Sequence, residues 1–88
     1  MENDKLEKLW RELKTERDEL RLQMHLAKAE LRDEWEDLEE EYAQAQQKFD
    51  RFKKETGELA GEAKQAMGIV VDEIGAAYKR VRQRLKQQ

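Results

Sequence analysis

The chain has 88 residues, a formal net charge of −3, no cysteine and no proline, and 44% of its side chains are charged. That leaves room for one domain, rules out a disulfide framework and gives no overall basic character for holding nucleic acid. The longest run of apolar or glycine residues, Ala66 to Val71, is far short of the ~20 residues that a membrane-crossing helix needs.

Ala, Glu, Lys, Leu and Arg make up more than half of the chain, the composition of long helices and coiled coils. Leu, Ile, Val and Phe together fall under a fifth. So thin an apolar content suits a helix with one buried stripe, and the small net charge argues against disorder. A chain this short buries too little surface to be very stable alone, and oligomerisation is the usual remedy. Met1 to Lys5 leads into charged sequence, so no signal peptide is expected. The lack of cysteine fits a cytoplasmic setting.

The first predicted element is a long helix over residues 4–55. Asp4-Lys5-Leu6-Glu7 has the form of a capping box, and no glycine or proline follows before Phe52. An apolar stripe starts at Leu6 and continues through Trp10, Leu13, Leu20, Met24, Ala27, Leu31, Trp35, Leu38, Tyr42, Ala45, Phe49 and Phe52. Its mean step over the whole chain is about 3.6 residues, the α-helical period. On this helix only Arg17 interrupts it. Ala27-Leu31-Trp35 takes two steps of four in succession, a stutter that relaxes supercoiling and predicts a nearly straight rod. Leu9, Leu22, Leu26 and Ala29 flank the stripe, so this section could contact two neighbours.

The next element is a turn or kink at 56–58. Lys53 and Lys54 followed by Gly57 read as a helix C-terminus, and Thr56 before Glu58 reads as a helix start. A second helix then spans residues 59–86, with Leu59, Ala63, Met67, Val70, Ile74, Ala77, Val81 and Leu85 on its stripe and Ile69, Val71, Ala76 and Tyr78 beside it. Residues 30–50 carry nine acids against two bases, whereas the end of the chain is basic. Opposite charge favours an antiparallel return in which paired positions sum to about 114. The expected fold is therefore all-α: a helical hairpin of a long and a shorter helix, in one domain, assembling as a dimer or tetramer. A single continuous helix in an oligomeric coiled coil is the alternative. A three-helix bundle would need a break near residue 28, where no breaker residue stands.

In that hairpin the second arm is too short to cover residues 4–27. Leu6, Leu9, Trp10, Leu13, Leu20 and Met24 would then form an exposed apolar face, the expected interface for a second copy or a partner helix. The basic tail, with Lys79, Arg80, Arg82, Arg84 and Lys86, could contact an anionic membrane surface, or could simply pair with the acidic block Glu30 to Glu41. Gly61, Gly68 and Gly75 recur every seven residues, as helix–helix clearance would require. Chemistry has little foothold. Serine and cysteine are absent and His25 is the only histidine, so no nucleophile–base pair or metal-ligand set is expected. No cofactor, metal site, small-molecule substrate or enzymatic activity is expected, and nucleic acid is not an expected partner. His25 reads as a boundary residue, Trp35 as core and Trp10 as a partner anchor.

The acidic mid-section, then Glu55-Thr56-Gly57-Glu58-Leu59-Ala60-Gly61 and a shorter amphipathic arm, resembles a class of small bacterial coiled-coil proteins of unknown function. The resemblance implies a soluble, helical, oligomeric protein and supplies no catalytic residue. The basic C-terminus departs from that class, whose members tend to be more acidic there.

Overall fold

The computed structural model describes the backbone of residues 2–54 and 58–87, and side chains within 5–54 and 61–87. Among the described residues it is all-α, with three helices: α1 (Glu2–Gln23), α2 (Ala29–Lys54) and α3 (Glu58–Gln87), and a 3-10 turn, Met24–Leu26, between the first two. Its extents are 47 × 20 × 17 Å, and the long dimension is that of α3 alone, 30 residues at ~1.5 Å each.

The break at residues 24–28 is the main departure from the sequence reading, which runs one helix through this point. Neither glycine nor proline makes it. Ala27 leaves the helical region with φ −83° and ψ 156°, and its N–H donates to the Met24 carbonyl at 3.0 Å. The Lys28 carbonyl then accepts from the Leu31 and Arg32 N–H groups at 3.0 and 3.1 Å, starting α2. The Gln23 side chain forms no capping hydrogen bond. Local chemistry therefore does not favour the break. Burial does: with α1 folded back, Leu6, Trp10, Leu13, Leu20 and Met24 are each at most 6% exposed. Burying each contributes roughly 1.5–3 kcal/mol, against roughly 1 kcal/mol for each helical hydrogen bond given up. The expected hairpin with a projecting arm is therefore replaced by a three-helix arrangement.

α2 and α3 run antiparallel, with Trp35 against Tyr78 and Arg84 paired to Glu34, near the register that the charge blocks suggest. α1 runs parallel to α3: Leu13 lies beside Gly75, and Arg82 beside Glu16 and Glu19. Among the described residues, Cα atoms of α3 come within 8 Å of both other helices, whereas none of α1 comes that close to α2. Long side chains span the wider α1–α2 gap. The Trp10 ring stacks on Tyr42 and on Phe49 with centroids 5.0 and 5.2 Å apart, and Phe49 continues to Phe52 at 5.9 Å.

Serving two neighbours requires a broad apolar face on α3. Met67, Val71, Ile74, Ala77, Tyr78 and Val81 are all buried there. Of the residues that flank the predicted stripe, Val71 lies beside Leu9 and Leu13 of α1, and Tyr78 packs on Trp35 of α2. α1 begins at Glu2, two residues before the expected start at Asp4. The side chains of Asp4 and Leu59, and the turn residues Thr56 and Gly57, lie outside the described residues.

Candidate interaction surface

Arg17, the one polar residue in the first stripe, sits at the α1–α2 seam. Its Nε donates to Glu39 Oε1 at 2.8 Å and its Nη2 to Glu39 Oε2 at 2.7 Å. Its guanidinium lies 4.6 Å from the centroid of the Tyr42 ring. The bidentate bond to Glu39 raises the Arg17 pKa further above its ordinary range, opposed by burial. Such a planar fork fixes orientation as well as energy. It holds α1 and α2 in one register, because a shift of either helix would leave the half-buried Glu39 unpaired and Arg17 with only its 3.6 Å contact to Asp18 on the same helix. A double-mutant cycle of Arg17→Met and Glu39→Gln is expected to give a coupling of about 1–2 kcal/mol in urea unfolding. A coupling near zero would show that the pair behaves like an ordinary surface contact.

Beside this pair lie two tyrosines whose hydroxyls are buried and have no hydrogen-bond partner among the described residues, Tyr42 and Tyr78. Burial raises the pKa of both phenols, most strongly that of Tyr78, which is 0% exposed. Glu39 adds to the rise at both, and Arg17 opposes it. Sequence reading passes over Glu39, one acid among many in the block. Its only signal is the polar gap at Arg17 in the facing stripe.

The residues expected to form an intermolecular face are placed in the chain's own core. Leu6, Trp10, Leu13, Leu20 and Met24 are buried, and of that set only Leu9 reaches the surface, at 37% exposure. The uncovered overhang that motivates such an interface does not exist in this fold. Trp35 is core as expected, and His25 is exposed. In the basic tail, Arg82 lies 3.5 Å from both Glu16 and Glu19, and Arg84 is paired with Glu34. Two of the five cations are thus engaged within the chain. Lys79, Arg80 and Lys86 are exposed.

An open groove of about 460 Å³ lies between α1 and α3. Leu9, Leu13, Val71, Gly75 and Ala76 line it, with Glu12, Glu16, Asp72 and Lys79 around them. A Cβ at Gly75 would sit 3.8 Å from Leu13 Cδ1, an ordinary van der Waals contact, so the approach of α1 does not depend on glycine there. A Cβ on Gly61 or Gly68 would meet nothing within 4 Å, so packing within the chain does not require glycine at either position. Ile69, one residue beyond Gly68, is 57% exposed.

Among the described residues no group of three or more His, Cys, Asp or Glu side chains is placed to hold a metal ion, and no helix is long and apolar enough to cross a membrane. No family model, curated protein or solved structure matches the chain. A functional reading therefore rests on the geometry alone.

Proposed function

We propose that this chain is a non-enzymatic helical interaction module that receives a partner helix in the groove between α1 and α3. The observation that carries the reading is the groove itself. Its floor is apolar and shallow because Gly75 and Ala76 present almost no side chain, so another helix can approach the backbone closely. Two acids, Glu12 and Asp72, stand around it against the single cation Lys79, while a third, Glu16, is paired with Arg82. The complementary partner is an amphipathic helix with basic residues flanking its apolar stripe. Such a helix could belong to another protein. Self-association of this chain as a dimer or tetramer belongs to the same reading.

Two synthetic peptides test the groove, one amphipathic with leucine and lysine and one with leucine and glutamate. The lysine peptide is expected to bind, with affinity falling at high salt, and the glutamate peptide is not. Ala76→Arg should abolish binding while leaving the melting temperature unchanged, because Ala76 is exposed. Equal binding of both peptides, or no effect of Ala76→Arg, would remove the groove from consideration.

A further inference from the structure

The break between α1 and α2 lies in a sequence suited to continuous helix. Met24-His25-Leu26-Ala27-Lys28 contains neither glycine nor proline, and alanine, leucine, methionine and lysine are among the best helix formers. The buried residues on its two sides, Leu20, Met24, Ala27 and Leu31, are spaced by steps of four, three and four. They would share one face of an unbroken helix. Only the docking of α1 on α2 and α3 keeps the chain bent.

We propose that α1 exchanges between two copies of this chain. Residues 24–28 straighten, α1 and α2 join into one helix of about 50 residues (~80 Å), and each α1 docks on the α2–α3 pair of the second copy. The occupant follows from the contacts. The released face of α1, with Leu6, Trp10, Leu13 and Arg17, fits the surface it has left, and a second copy presents that same surface. The contacts of α1 with the α2–α3 pair are made again, the contacts of the turn itself are lost, and the helical hydrogen bonds across residues 24–28 are recovered. Loss of translational freedom opposes the exchange, so it is favoured by concentration.

The Arg17–Glu39 pair supplies the test. In the closed form both residues belong to one chain, whereas after exchange Arg17 of each copy meets Glu39 of the other. Arg17→Glu and Glu39→Arg each place like charges together, in a monomer and in a dimer of one variant alone. Mixed, the two variants form a dimer in which both pairs are again opposite in charge. The expected result is a heterodimer by native mass spectrometry, melting well above either variant by itself. Ala29→Pro is the second arm. Proline is accepted at the first position of α2 but not within a continuous helix, so the variant should keep its fold and lose the dimer that wild-type chain forms at high concentration in sedimentation. A mixture melting as its separate components, a wild-type chain monomeric at every concentration, or an Ala29→Pro chain dimerising as wild type would each overturn the exchange. The exchange does not use the α1–α3 groove, so Ala76→Arg should leave the heterodimer intact, and the two proposals can fail separately.

Discussion

Replacing Trp10 by alanine is expected to lower the free energy of unfolding by about 3–5 kcal/mol, the cost of deleting a buried aromatic side chain. Trp10 is 5% exposed and stacks on both Tyr42 and Phe49. Each aromatic pair contributes about 0.5–1.5 kcal/mol beyond the buried area. The gap it fills is the widest seam of the bundle, where no Cα of α1 approaches one of α2 within 8 Å, so the neighbouring backbones cannot collapse easily into the space left. A domain of this size has a total stability of roughly 5–10 kcal/mol, and the variant should be partly unfolded at physiological temperature. Urea unfolding followed by circular dichroism checks it, with Leu22→Ala as the companion. Leu22 is 72% exposed, and its loss should shift stability by less than about 0.5 kcal/mol. On a projecting arm Trp10→Ala would be as mild as Leu22→Ala, so equal effects would show that α1 is not docked.

That contrast marks where sequence reading succeeds and where it stops. The stripe from Leu6 to Leu85 identifies the buried face of each helix, since Leu6, Trp10, Leu13, Leu20, Met24, Leu31 and Trp35 are all buried. Periodicity records which side of a helix is covered. It carries no information about what covers it, so the same residues serve equally as an interface or as a core. The bend at Ala27 is illegible for a related reason. Its cause is long-range, the burial of α1 against helices distant in the sequence, as Leu13 against Gly75 and Glu16 against Arg82, and the local residues favour the helix that is not formed. The apolar residues outside the stripe give a partial signal. Val71 and Tyr78 are buried because α3 serves two neighbours, while Ile69, Leu22 and Leu26 stay exposed. Sequence spacing alone does not separate these two groups.

The charges divide in the same way. The opposition of acidic middle and basic end is realised in Arg84 with Glu34, but Arg82 turns to Glu16 and Glu19 on α1, a partner that a two-helix reading cannot offer. These exposed pairs contribute little each. Arg17 and Glu39, whose side chains are 19% and 27% exposed, are better shielded. A single polar residue in an apolar stripe is thus the most informative irregularity in the sequence, because a charge there must find a partner across the seam.

The buried phenols give the second large effect, a loss of stability in alkali. In the unfolded chain Tyr42 and Tyr78 ionise near pH 10. In the fold, burial holds both phenols protonated to higher pH, Tyr78 most of all. Above pH 10 the unfolded chain therefore releases protons that the folded chain retains, and ionisation pulls the equilibrium toward unfolding. The tyrosine contribution is fully present below about pH 10 and declines above it, by up to ~1.4 kcal/mol per pH unit for each phenol that stays protonated. The comparison that isolates the effect is wild type against Tyr78→Phe at each pH. At pH 7 the variant should be as stable as wild type or slightly more so, because it removes a buried hydroxyl with no partner. By pH 11 to 12 it should be the more stable of the two by an amount that grows with pH, read as urea midpoints. Parallel alkaline profiles for the two chains would mean that the Tyr78 hydroxyl is solvated or hydrogen-bonded, and that the seam between α2 and α3 is looser than the 5.5 Å separation of the Trp35 and Tyr78 rings indicates.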